Sequence, residues 1–160
     1  FKNQKGVSQD TIKDFSRKIA AAKQACISED FLIIARIESF ILGKSLRDAL
    51  TRAEAYSKAG ADAILIHSKE KNPKQIFDFA KKFSKSRYYK PMVCVPSTYS
   101  HVHEKKLIKK GFKIVIYANH MMRSSYPSML HNAKKILQAK KSSSIEKKIS
   151  SVKDMIELIK

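Results

Sequence analysis

The stretch SLRDALTRAEAYSKAGADAILIH, residues 45–67, decides the fold. Ser45 stands where a helix N-cap belongs, with Asp48 three residues on, a shorter relative of the Ser-x-x-Glu capping box. Leu46, Ala49, Leu50, Ala53 and Tyr56 then recur at helical spacing, and Gly60 supplies a C-terminal stop. Residues 61–67 follow as a short apolar run that turns polar at His67. The unit is a capped helix, a glycine and a buried strand with a polar end.

Working outward, the same unit repeats. Ser8 is the expected N-cap of a helix whose apolar face is Ile12, Phe15, Ile19, Ala22 and Cys26. Phe31 to Ala35 are apolar enough for a strand covered on both faces, and the run ends with Arg36 and Glu38 on one side of the chain. Beyond residue 67, Pro73 opens a helix carrying Ile76, Phe77, Ala80 and Phe83, and PMVCVPS from Pro91 reads as the third strand. A helix over 104–110 stops at Gly111, and FKIVIYA is the fourth strand. Lys58-Ala59-Gly60 before AILIH is echoed by Lys110-Gly111 before KIVIY. From about residue 124 to 160 the pattern is helical, broken by KKSSS at 140–144.

Strict alternation of helix and strand implies a parallel sheet with right-handed crossovers. The repeated unit is that of a (β/α)₈ TIM barrel, which needs eight strands and typically about 250 residues. Four strands in 160 residues cannot close one, so the repeat accounts for half a barrel.

Composition narrows the function classes. A hydrophobic content of 43% suffices for a core, and no apolar run approaches the roughly 20 residues of a membrane span. Cys26 and Cys94 lie far apart without metal-ligand spacing, which suits packing thiols in a cytoplasmic protein. The net charge of +19 invites nucleic acid. Against that, only six of 33 basic residues are Arg, and the lysines are scattered along every segment. Gly-rich phosphate loops, Cys-x-x-Cys and Gly-x-Ser-x-Gly are absent from the sequence.

Chemistry in parallel α/β folds gathers at the C-terminal strand ends. Here those are Arg36 and Glu38, then His67 and Ser68, then Ser97, Thr98 and Tyr99, then Asn119 and His120. Arg36 can grip a phosphate or carboxylate bidentately, Glu38 can orient it, and His67 can donate a hydrogen bond. His101 and His103 read as exposed. No paired aspartates suited to Mg²⁺ stand at a strand end. The residues alone therefore describe an anion-binding rim without a complete catalytic set.

Residues 30–69, DFLIIARIESFILGKSLRDALTRAEAYSKAGADAILIHSK, strongly resemble the phosphoenolpyruvate mutase family within the isocitrate lyase superfamily of (β/α)₈ enzymes. The matching motifs are Ala35-Arg36-Ile37-Glu38-Ser39, the helix from Leu46 to Tyr56, and the run from Ala59 to Lys69; VCVPSTY, IVIYANHMMRSS and KISSVKDMIEL extend the likeness. The resemblance implies that Arg36 binds the phosphoryl or phosphonyl group, that His67 lies beside it, and that Glu38 supports both. It implies a small anionic substrate, phosphoenolpyruvate or phosphonopyruvate, and Mg²⁺ as cofactor. The nucleophile-position aspartate, the acidic Mg²⁺ ligands and the gating loop would all lie before Phe1. By the resemblance, residues 1–160 would then be the C-terminal portion of a single barrel domain, its last four βα units plus C-terminal helices. Residues 124–160 would be helices exchanged within a homo-oligomer, their apolar stripe being Ile145, Ile149, Val152, Met155, Ile156 and Ile159. Phosphonopyruvate hydrolysis or a C–C lyase reaction are the alternatives on the same fold. Superfamily lyases tend to carry other residues at positions 38 and 67. A basic nucleic-acid module is the remote alternative.

Overall fold

The computed structural model describes residues 8–159, which divide into one compact unit ending at Ala118 and a second beginning at Asn119. In the first unit the order is α1 (Ile12–Ala25), β1 (Ile34–Ile37), α2 (Leu46–Lys58), β2 (Ala63–Ile66), α3 (Lys74–Phe83), β3 (Met92–Cys94), α4 (Glu104–Lys109) and β4 (Phe112–Val115). The four strands form one parallel sheet in sequence order, β1-β2-β3-β4, so every crossover steps to the adjacent strand. This is the expected α/β arrangement of four successive βα units.

Local chemistry sets the boundaries. The Ser45 hydroxyl accepts the Asp48 amide at 3.2 Å and caps α2 as its sequence predicts. The cap of α1 is Thr11, not Ser8: its hydroxyl accepts the Asp14 amide at 3.1 Å and donates to the Asp14 carboxylate at 2.6 Å, closing the turn three residues later. Gly60 and Gly111 occupy the same place in successive units, with φ of 109° and 96°. A side chain there would be strained, and a Cβ on Gly111 would stand 3.0 Å from the Met92 methyl.

The first strand is shorter and less covered than its apolar run suggests. Its ladder begins at Ile34, while Phe31 and Leu32 are 63% and 57% exposed. Asp62 explains the start: its carboxylate accepts the Ile33 amide, its own amide donates to the Ile33 carbonyl, and Lys23 grips both carboxylate oxygens at 2.8 Å. Within β1 burial alternates, Ala35 and Ile37 turned to the helices and Ile34 and Arg36 to the open face. The two faces of the sheet are covered unequally. Ala35, Ile37, Ile64, Ile66, Met92, Cys94 and Phe112 join the helix residues Ala49, Ala53, Ile76, Phe79, Phe83 and Leu107 in the main core. The opposite face carries only a thin cluster of Ala63, Leu65, Val93 and Val95 with Ile116 beside it. That is the face a closed barrel would turn inward.

The second unit holds α5 (His120–Ala139), two 3₁₀ turns (Ser142–Ser144 and Glu146–Lys148) and α6 (Val152–Glu157). Its first helix starts four residues before the expected Ser124 and runs through Pro127. Hydroxyls of Ser124, Ser125 and Ser128 donate to carbonyls of the preceding turn around that proline. Lys140, in the left-handed region at φ 54°, ends it, and the serines expected as a loop form the first 3₁₀ turn. Ser151 and Asp154 make a reciprocal capping box at α6.

Candidate active site at the strand ends

Parallel pairing aligns Arg36 with Leu65 and Ile37 with Ile66, so His67 emerges one step beyond the ladder on the same face as Arg36. The His67 amide still donates to the Ile37 carbonyl at 3.3 Å, holding the two chain ends together as they leave the sheet. The three predicted residues converge. Nε of Arg36 donates to Oε1 of Glu38, Nη2 of Arg36 lies 2.7 Å from Nδ1 of His67, and that same Nδ1 lies 3.3 Å from Oε2 of Glu38.

Nδ1 of His67 cannot both accept from Arg36 and donate to Glu38. The guanidinium keeps its protons throughout the range where proteins are folded, and its contact is the shorter. We therefore assign Nδ1 as the acceptor of the Arg36 hydrogen bond. Partial burial pushes the Glu38 carboxyl up, while hydrogen bonding and the adjacent guanidinium charge outweigh it and hold the group below the usual carboxylate range. With Nδ1 an acceptor, Arg36 rather than His67 is the partner that lowers it.

The consequence is a guanidinium with one edge used and one edge open. The Nε/Nη2 edge is clamped by Glu38 and His67, which is 7% exposed. The remaining donors lie on the Nη1 edge, and the Arg36 side chain is 47% exposed. That edge is a planar fork of the right shape for two oxygens of a phosphate, phosphonate or carboxylate.

Behind Glu38, Ser39 is wholly buried and donates to Oδ2 of Asp48 at 2.6 Å. The same oxygen accepts from Nε of Arg52 at 3.1 Å, and Nη1 of Arg52 reaches the Tyr56 hydroxyl at 2.8 Å and the Asp10 carbonyl at 3.0 Å. Arg52 is 5% exposed. Burial pushes Asp48 up, but Ser39 and Arg52 together hold it below the usual range. The loop that carries Glu38 is thus pinned to α2 by a buried polar network.

The other strand-end groups have structural work. Thr98 Oγ1 donates to the Ser68 carbonyl at 3.0 Å, Ser68 Oγ donates to Gln75, and Lys69 Nζ reaches the Ile41 carbonyl at 3.3 Å. Tyr99 is fully buried in the core, away from the exposed Arg36 edge, and burial pushes the nearby Cys94 thiol up to about 12, as for an inert packing thiol. Asn119 and His120 belong to the second unit. His103 is exposed as expected, but its Nδ1 accepts the Lys105 amide at 3.1 Å and caps α4. Among the described residues, no group of three or more His, Cys, Asp or Glu could hold a metal ion.

The family model for phosphoenolpyruvate phosphomutase matches residues 2–137. The chain belongs to the phosphoenolpyruvate phosphomutase family. It is 41% identical over 147 residues to the phosphoenolpyruvate phosphomutase of Tetrahymena pyriformis, covering 92% of this chain and 48% of that protein. Among solved structures it matches a phosphoenolpyruvate phosphomutase from Streptomyces platensis subsp. rosaceus at 37% identity and a TM-score of 0.86, over 94% of this chain and 52% of that one. A phosphonopyruvate hydrolase in complex with oxalate and Mg²⁺ matches at 36% identity and a TM-score of 0.84, over 96% of this chain and 56% of that one. The chain therefore spans about half the length of these family members.

Proposed function

We propose that this chain carries the phosphoryl-gripping side of a mutase that interconverts phosphoenolpyruvate and phosphonopyruvate. The supporting observation is the open Nη1 edge of Arg36, set at a strand end in a member of this family. In the reaction the phosphoryl group leaves the enol oxygen and bonds to carbon within the same molecule, so a P–O bond breaks as a P–C bond forms and no oxidant or reductant is needed. Arg36 would bind two oxygens of the transferring group and stabilise the charge that develops on it. Glu38 and His67 would fix the plane of the guanidinium before the ligand arrives, sparing that reorganisation during the reaction.

Mg²⁺ accompanies the related hydrolase complex, and a Mg²⁺ requirement is part of the proposal. The described residues do not fit a Mg²⁺ site, so its ligands would come from outside them and no step is assigned to the ion here. A cytoplasmic location is likewise proposed; no helix among the described residues is long and apolar enough to cross a membrane. We also propose that the C-terminal helices are exchanged in a homo-oligomer. α5 buries none of its residues, and α6 exposes Val152, Met155 and Ile156.

Hydrolysis of phosphonopyruvate is the second reading, favoured by the likeness to the hydrolase complex. Phosphorus NMR of the full-length protein with phosphonopyruvate separates the two. A phosphoenolpyruvate resonance supports the mutase and inorganic phosphate the hydrolase. An unchanged phosphonate signal at saturating Mg²⁺ would overturn both.

A further inference from the structure

A second basic feature lies on the unit that holds Arg36, apart from the strand-end trio. Between the first turn of α3 and the length of α4 runs an open groove of about 690 Å³, lined by Lys74, Phe77, Asp78, His103, Lys106 and Lys110 among others. The half-buried Phe77 ring forms its floor. Nζ of Lys106 stands 5.8 Å from the ring centroid and Nζ of Lys110 stands 5.5 Å from it. Two ammonium groups are thus gathered over one ring, and among the described residues neither has a carboxylate partner. The single acid in the lining, Asp78, is already held by Lys74 at 2.5 Å. Because Nδ1 of His103 accepts the Lys105 amide, the proton of the neutral ring sits on Nε2, a further donor at the groove.

Like charges held together without a counter-ion repel, and the ring quadrupole offsets only part of that repulsion. A ligand bearing at least two negative charges would relieve it, and a concave site strengthens the attraction by limiting access of water. We propose that this groove is a binding site for a phosphoryl dianion, distinct from the Arg36 site. α3 follows β2 and α4 follows β3, so the first turns of both helices lie toward the C-terminal strand ends, in the helix layer and not on the open face that carries Arg36.

The test is titration of pyrophosphate into the protein carrying Arg36→Ala, at low ionic strength, following the His103 ring resonances and the heat of binding. Removing Arg36 takes the strand-end site out of the measurement, so failure here leaves the mutase reading untouched. The expected result is saturable binding that Lys106→Gln with Lys110→Gln weakens at least about tenfold, while Lys105→Gln with Lys109→Gln leaves it within about twofold. Both pairs remove two charges from α4 and its C-cap, but only the first lines the groove. Equal weakening by both pairs would show attraction to overall charge and overturn the proposal, as would non-saturating binding or an unmoved His103 signal. Lys110→Glu alone, checked for an unchanged thermal melt, should abolish binding. Parallel titrations with inorganic phosphate and phosphoenolpyruvate identify the source: equal affinity points to free phosphate, and tighter binding of the enol ester points to substrate capture. Binding of neither would count against a phosphoryl site.

Discussion

Replacing Arg36 with alanine removes more than a contact, because Arg36 also screens Glu38. In the folded chain one edge of the guanidinium neutralises that carboxylate and the other faces outward. Arg36→Ala in the full-length protein therefore deletes a charge-assisted bidentate grip, worth on the order of 3 kcal/mol where charge develops in the transition state, or roughly 100-fold in rate. It also leaves Glu38 ionised and partly buried where an anionic substrate must approach. At an effective dielectric constant near 20 that repulsion is about 1–3 kcal/mol once discounted for solvent access. The expected loss in kcat/KM is thus about 10³-fold, read from phosphonopyruvate consumption. Adding Glu38→Gln to Arg36→Ala keeps the shape and removes the repulsion, so about tenfold of the loss should return. An Arg36→Ala enzyme within threefold of the parent would reduce Arg36 to a structural partner of Glu38. A double variant slower than the single one would refute the screening argument while sparing the grip.

Gly111→Ala places a Cβ at φ 96° and 3.0 Å from the Met92 methyl, and should cost about 1–2 kcal/mol of stability in urea unfolding. Asp62 is held below its ordinary range, chiefly by the Ile33 amide and then by Lys23. A carboxyl depressed in the folded state contributes stability above its unfolded value near 3.9, and that stability is lost as pH falls through the lower folded value. Asp62→Asn should therefore lower Tm at pH 7 and flatten the acid limb of the Tm–pH curve below about pH 5. Arg52→Met leaves Asp48, Tyr56 and the Asp10 carbonyl without their shared donor. It should destabilise by about 2–3 kcal/mol, with a larger effect than any exposed Lys→Met substitution on α2 or α3.

What the sequence displays is what local rules control. Ser45, Gly60 and Gly111 act within their own turns, so capping and positive φ could be read from neighbours alone. Arg36, Glu38 and His67 could be placed together because parallel pairing brings successive strand ends to one edge. The buried Arg52 was not legible. With Asp48 at i−4 it resembles any surface helix pair, and only Ser39 and the Asp10 carbonyl, brought in from elsewhere in the chain, show that it lies inside. Phe31 and Leu32 misled for the opposite reason. Their hydrophobicity promises a covered strand, but pairing starts where Asp62 can grip the Ile33 amide. The cap at His103 left no sign either, since histidine is not among the usual N-cap residues.

The rim hydrogen bonds have a mechanical meaning. Lys69, just past β2, holds the Ile41 carbonyl in the loop after β1, and Thr98, just past β3, holds the Ser68 carbonyl in the loop after β2. Each loop is fastened to the one before it, like slates overlapping on a roof. Such a rim resists lifting at any single point, since raising one loop drags its neighbour. Amide exchange across residues 39–44, 68–71 and 97–99 should accordingly rise together in Thr98→Val, which keeps the side-chain shape and removes the fastening. Independent exchange of the three loops, already present in the parent protein, would show that the slates are loose.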